Sequence, residues 1–242
     1  MAIIELRNIS KSFDGYEVLR NVDLDVDEGT TVVILGKSGV GKSVLLKVII
    51  GLIRPDRGTV RVDEQDVARL KPRSLQALRR RMGYLFQGAA LYDSMSVREN
   101  LAFPLERSEQ LDAEELENRI VAQLRLVGLQ DAIDKMPADL SGGMRKRVGL
   151  ARAMITNPRI MLYDEPTTGL DPITAREIST LIKNIQERNR PTSIAVTHDM
   201  VCARIIGDKA AILNDGVLDR QGTLESIRDS KDEIAQSFFA SE

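Results

Sequence analysis

A single cysteine, Cys202, is all the thiol this 242-residue chain carries. An internal disulfide framework is therefore excluded, and the usage fits a reducing compartment. Long apolar runs are also lacking. Nothing approaches the roughly 18 to 20 uninterrupted apolar residues that a membrane-spanning helix needs, and the most apolar segment, 44–53, contains Lys47. The opening MAIIELRNIS has no basic flank, long apolar region or small-residue cleavage site, so no signal peptide is expected. Positive charge is not in excess: the formal net charge is −2 and the pI is near 5.7, which argues against a nucleic-acid partner. Internal repeats, low-complexity tracts and Pro/Gly/Ser-rich linkers are missing as well. Any work at a membrane is expected to go through another chain.

What is present is ordinary for a globular protein, 43% hydrophobic and 29% charged residues, at a length for one large α/β domain or two small ones tightly joined. Residues 3–9 and 18–26 alternate as a half-exposed antiparallel sheet does, as in Val22, Leu24 and Val26. Residues 29–36, GTTVVILG, form a glycine-bounded, β-branched run that reads as a strand buried on both faces. Helical character follows from Val44. From Ser96 to Leu129 the chain is rich in Glu, Gln, Leu and Arg, with Leu116, Ile120, Leu124 and Val127 at helical spacing. A second helix is expected from about Gly142 to Ile155, then strands at 159–163 and 193–196 around a helix at 175–188. Asn214-Asp215-Gly216 between apolar triplets signals a hairpin. The order predicts a parallel sheet with an inserted helical lobe. Two basic runs, Arg79-Arg80-Arg81 and Arg145-Lys146-Arg147, are expected to be solvated helix faces. The second lies beside a motif, discussed below, that makes a phosphate-facing role more plausible.

Gly36-Lys37-Ser38-Gly39-Val40-Gly41-Lys42-Ser43 matches G-x-x-x-x-G-K-[ST] in full. A backbone that wraps a β-phosphate must bring successive N–H groups onto its oxygens, so glycines stand where a Cβ would collide, and the next helix aims its positive N-terminus at the same phosphates. Lys42 supplies a point charge to the β- and γ-phosphates, and the Ser43 hydroxyl suits Mg²⁺. Because a buried-strand pattern precedes the motif and a helical one follows, the chain is expected to bind a nucleoside triphosphate. Residues 160–165, IMLYDE, form an apolar strand ending in two carboxylates. Asp164 can hold Mg²⁺ through water, and Glu165, pointing differently, can polarise an attacking water as general base. A run ending in Asp-Glu is often only a strand exit; the phosphate loop is what gives this one weight. His198 is the sole histidine. Lone histidines are more often structural than catalytic, but this one follows a buried strand expected beside that of Asp164, within reach of a γ-phosphate.

Leu140-Ser141-Gly142-Gly143-Met144 closely resembles the signature of the ATP-binding cassette (ABC) ATPases, normally L-S-G-G-Q. With Gln87 after Tyr84-Leu85-Phe86, Gly169-Leu170-Asp171 after Asp164-Glu165, and His198, the ordered set runs nearly the length of the chain. The resemblance covers about residues 3 to 230. It implies an α/β fold in which a P-loop (RecA-like) parallel sheet core (1–87 and 159–222) carries an N-terminal antiparallel β subdomain. It also implies an inserted α-helical subdomain (88–158) and a helical tail (223–242). It further implies a head-to-tail dimer that sandwiches two ATP molecules, each between one chain's phosphate loop and the other's signature. Ser141, Gly142 and Gly143 would then serve the partner's γ-phosphate. Phe13 matches the aromatic that stacks on adenine, with Tyr16 nearby as an alternative. Gln87 would sense Mg²⁺ and the attacking water, and Asp171 would link the two sites. Met144 departs from the pattern and lacks the amide of glutamine.

L-S-G-G-M with its basic helix also resembles the ATPases of MCE-associated lipid transporters, including the Mla type, as do residues 41–47, 86–97 and 163–173. That implies a peripheral subunit on the cytoplasmic face of a bacterial inner membrane. It would power transport of phospholipid or a related apolar molecule, with a separate permease, an MCE-domain protein and a STAS-domain subunit. The rival is a non-transport ABC ATPase of the iron–sulfur assembly or cell-division type. Phe86–Pro104 discriminates: Leu91, Tyr92 and Phe103 either line a groove for a permease or are lobe core. The tail is expected to form one or two short amphipathic helices ending in Phe238-Phe239.

Overall fold

The structure, a computed structural model, describes residues 2–230 and 236; the Phe238-Phe239 expectation lies outside them. In chain order the elements are β1 (Ala2–Phe13), β2 (Tyr16–Asp27), β3 (Thr31–Leu35), α1 (Lys42–Ile49), β4 (Arg57–Val62), β5 (Gln65–Asp66), α2 (Pro72–Arg79) and β6 (Met82–Leu85). Then come α3 (Val97–Ser108), α4 (Ala113–Leu126), α5 (Gly142–Met154), β7 (Ile160–Asp164), α6 (Pro172–Asn189), β8 (Thr192–Thr197), α7 (Met200–Ile206), β9 (Lys209–Asn214), β10 (Val217–Gly222) and α8 (Leu224–Arg228).

Two sheets result. An antiparallel one has the order β2-β1-β4-β5, and a six-stranded one the order β10-β9-β3-β8-β7-β6, parallel from β9 to β6. Every residue of β3, β6, β7 and β8 is buried, as continuous apolar runs covered by helices on both faces should be. β2 alternates instead, burying Leu19, Val22, Leu24 and Val26 against the core between the sheets, where α1 also inserts Leu45, Leu46 and Ile49. On the opposite face α6 and α7 bury Ile178, Ile182, Cys202 and Ile206. The β9–β10 turn places Asp215 and Gly216 at φ 44° and 77°, the all-positive geometry that Asp-Gly favours in two-residue hairpins.

The helical insertion has its own core of Val97, Leu101, Leu105, Ile120, Leu124, Val127 and Val148. The helical spacing across 96–129 resolves into two helices rather than one. The first is started by a capping box between Ser96 and Glu99, the second by Asp112 accepting from the Glu115 N–H.

Two expectations need correction, and the segment 57–79, of which only a helix face at Arg79 is expected, also contains β4 and β5. Arg79 is no solvated side chain: it donates to the carbonyls of Ile50 (3.0 Å) and Gly51 (2.7 Å) at the C-terminal end of α1, where helix carbonyls lack partners. Lys146 is buried, because the helical period puts it on the face of α5 turned inward.

Candidate active site

The carboxyl ends of β3, β7 and β8 converge on one spot, with α1 starting beside them. β8 lies between β3 and β7, so the strand bearing Asp164 is one removed from the strand that feeds the phosphate loop. The loop 36–43 leaves β3 and enters α1 through Gly41 at φ 107°. A Cβ there would fall 2.9 Å from both the carbonyl and a methyl of Val18, so only glycine lets the loop seat this close to β2. Phe13 and Tyr16 face one another in register at the end of that same β1–β2 hairpin, both exposed, with the Lys11 ammonium 5.2 Å from the Phe13 ring centre.

Lys42 is buried. Its ammonium donates to the carbonyls of Gly36 (2.6 Å) and Lys37 (3.0 Å) and pairs with Glu165 Oε1 at 3.0 Å. The second oxygen of Glu165 lies 2.9 Å from His198 Nδ1 and accepts from the Thr168 hydroxyl at 3.0 Å. Ser43 donates its hydroxyl to Asp164 Oδ1 at 2.6 Å, and Tyr84 donates to Asp164 Oδ2 at 3.0 Å. Burial first, and then the Asp164 carboxylate, push the Tyr84 phenol well above its ordinary pKa, so Tyr84 keeps the proton it donates to Asp164. The structure thus brings Lys42, Glu165 and His198 into one bonded set and Ser43 and Asp164 into a second beside it.

Gln87 lies just past β6 with its side chain exposed, while its backbone carbonyl accepts from the Lys146 ammonium. Ser141 is the N-cap of α5, accepting from the Met144 N–H at 3.2 Å. The signature packs on the 169–171 turn and α6: a Cβ on Gly142 would meet Leu170 at 3.6 Å, and one on Gly143 would fall 2.6 Å from Thr174 Cγ2. Asp171 caps α6, accepting from the N–H groups of Ile173 and Thr174 and from the Thr174 hydroxyl. Those bonds, the Thr174 hydroxyl foremost, hold the Asp171 carboxyl below its usual range.

The hydroxyl of Ser43 and the carboxylate of Asp164 are hard oxygen donors in contact, and Mg²⁺ favours one or two such protein ligands beside substrate phosphates and water; the residues fit that ion. Sequence reasoning missed Tyr84 and Thr168, and placed Lys146 only within a basic run beside the signature.

A glycine-rich loop that enters a helix, a buried lysine, and a serine and two carboxylates at the ends of parallel strands define a nucleoside-triphosphate hydrolase. Known sequences agree. Residues 19–168 match the family described as ABC transporter. The chain is 38% identical over 99% of its length to the "Intermembrane phospholipid transport system ATP-binding protein MlaF" of Haemophilus influenzae, covering 91% of that protein. It is 39% identical over 98% of its length to the "Probable ribonucleotide transport ATP-binding protein mkl" of Mycobacterium leprae, covering 68% of it. It is also 40% identical over 99% to the "Methionine import ATP-binding protein MetN" of Mannheimia succiniciproducens, covering 70%. Among solved structures, a dimeric ATP-binding cassette in a post-hydrolysis state with ADP and Pi superposes with a TM-score of 0.85. That pair is 34% identical, and the match covers 91% of this chain and 98% of the other. The chain belongs to the ABC transporter family and is an ATP-hydrolysing subunit of that family. Among the described residues no helix is long and apolar enough to cross a membrane.

Proposed function

We propose that this chain powers the movement of phospholipid or a related apolar molecule through a separate permease, working from the cytoplasmic face of a bacterial inner membrane as a head-to-tail dimer. Its partners in this reading are the permease, an MCE-domain protein and a STAS-domain subunit. For the catalytic part, the supporting observation is the single bonded set that joins Lys42, Glu165 and His198 and, beside it, Ser43 and Asp164. For the substrate, support comes from a relative named for phospholipid transport that is matched over 91% of its length, together with the L-S-G-G-M signature.

ATP phosphates lie against the N–H groups of 36–43 and draw Lys42 from Glu165, while Phe13 stacks on adenine. The freed Glu165 carboxylate accepts a proton from water as the water oxygen bonds to the γ-phosphorus and the bond to the β,γ-bridging oxygen breaks. His198 orients Glu165 and the γ-phosphate. Ser43, Asp164 and Gln87 would hold Mg²⁺, which would supply positive charge to offset that of the phosphates. In the dimer Ser141, Gly142 and Gly143 face the partner's γ-phosphate through a hydroxyl, backbone amides and a helix N-terminus, and Asp171 links the two sites.

The permease reading is supported by an open groove of about 780 Å³ between α2, β6 and the helical lobe, lined by Phe86, Tyr92, Phe103 and Arg107. Tyr92 is 44% exposed, so it is not lobe core, whereas Leu91 packs against the lobe core. The test is a mild-detergent pull-down of the tagged chain from its native membrane, with mass spectrometry of proteins and lipids. A multi-span permease with an MCE-domain protein and phospholipid is expected. A permease without an MCE-domain protein removes the lipid assignment, and soluble partners alone remove transport.

A further inference from the structure

We propose that Lys146 is a positioning residue for hydrolysis: from the signature helix it holds the backbone of both Gln87 and Glu165 in place. The inference rests on the reading of Glu165 as general base and extends it to a residue five positions into α5.

Lys146 is the one lysine besides Lys42 that is buried among the described residues. Its ammonium donates to the Glu165 carbonyl at 3.0 Å and to the Gln87 carbonyl. These residues belong to different parts of the molecule, Gln87 at the exit of β6 and Glu165 at the exit of β7, so one cation ties two loops to a third element. Burying an ammonium is costly unless it is well bonded. Here burial pushes Lys146 down to about 8, while the Asp164 and Glu165 carboxylates oppose the shift.

The Glu165 backbone needs holding. Its φ is 49°, a left-handed conformation that is unfavourable for a non-glycine residue. The Glu165 N–H donates to Val196 O at 2.9 Å and the Thr168 N–H donates to Glu165 O at 3.3 Å; the Lys146 bond to that carbonyl is the shorter and charge-assisted one, hence the stronger. The loop after Gln87 is bent likewise, with Ala89 and Ala90 at φ 61° and 49°. The same face of α5 supports it. A Cβ on Gly149 would come within 2.9 Å of Ala89 Cβ, and Arg152 donates to the Ala89 carbonyl at 2.9 Å. Lys146, Gly149 and Arg152 recur every three residues and so share one side of the helix. The helix that begins with Ser141 is therefore the rigid body against which both catalytic loops are registered.

The experiment compares Lys146→Met, which keeps the length and removes the donor, with Lys146→Gln, which restores N–H donors on a shorter arm. Steady-state ATPase kinetics, ADP affinity and thermal melting are measured for each. Lys146→Met is expected to lower kcat at least about tenfold, as small misplacements of catalytic groups do, with KM and ADP Kd within about twofold. Lys146→Gln is expected to fall between, roughly two- to fivefold below wild type. Wild-type kcat in Lys146→Met, equal losses in both variants, or a loss carried by KM would overturn the proposal. If Lys146→Met melts below the assay temperature, Lys146→Gln decides, and wild-type kcat there overturns it. Glu165→Gln is run alongside: if it turns over normally, the general-base reading fails. If it is inactive while Lys146→Met is normal, only the present inference fails.

Discussion

Consider the ion pair between Lys42 and Glu165. Both groups are buried and their charged atoms are 3.0 Å apart, so nucleotide must compete with a carboxylate of the protein for the Lys42 ammonium. At an effective dielectric of 20 the Coulomb attraction at that distance is about 5 kcal/mol. Most of it is offset by desolvation, and a charged hydrogen bond contributes roughly 1.5–3 kcal/mol net. Glu165→Gln keeps shape and one acceptor but removes the charge, so about 1–2 kcal/mol of competition disappears. ADP affinity should tighten by roughly 5- to 30-fold, since 1.4 kcal/mol is tenfold. The same substitution should lower kcat by about 10²–10⁴-fold, the usual contribution of a general base. ADP is the right probe because it carries the β-phosphate that Lys42 would contact and lacks the γ-phosphate that would close a dimer. Isothermal titration of wild type and variant with ADP measures the effect directly. Unchanged or weaker ADP binding would refute the competition argument, whatever happens to turnover.

Other consequences can be checked as simply. Ser43→Ala removes one of the oxygen donors that fit Mg²⁺, so ATP affinity should weaken at least about tenfold with Mg²⁺ present and change little with a chelator, in paired titrations. Tyr84→Phe deletes the 3.0 Å bond to Asp164; about 1 kcal/mol is lost, and Tm should fall roughly 2–4 °C by calorimetry. Cys202 is buried and its thiol is pushed up to about 12, chiefly by burial. At pH 8 the folded protein should therefore react with a thiol reagent on the order of a thousandfold more slowly than the unfolded chain, read by absorbance with and without denaturant.

Much of the site was legible in the chain because its parts are local. A loop that cradles phosphate needs glycines at fixed offsets and a lysine and serine at its end, so residues 36–43 declare themselves wherever the fold puts them. Asp164, Glu165 and His198 stood out because each follows an apolar run long enough only for a buried strand. The signature and Asp171 are helix starts, and helix starts are written in short sequences. What the chain alone could not show depends on contacts between distant residues. β4 presents only Val60 and Val62 to the core, too weak an alternation to read. Arg79 looked like one more solvent-facing cation until α2 packed it against the end of α1. Lys146 sat inside a basic run whose charges pointed to water, yet the helical period and the closeness of β6 and β7 turned it inward. The sequence determined which chemical groups exist and the local shapes that present them; only the tertiary structure decided that Lys42 meets Glu165, Tyr84 meets Asp164, and Lys146 holds two loops. Each of those pairs joins residues 19 to 123 positions apart in numbering, and packing of the whole sheet, not local preference, sets such distances.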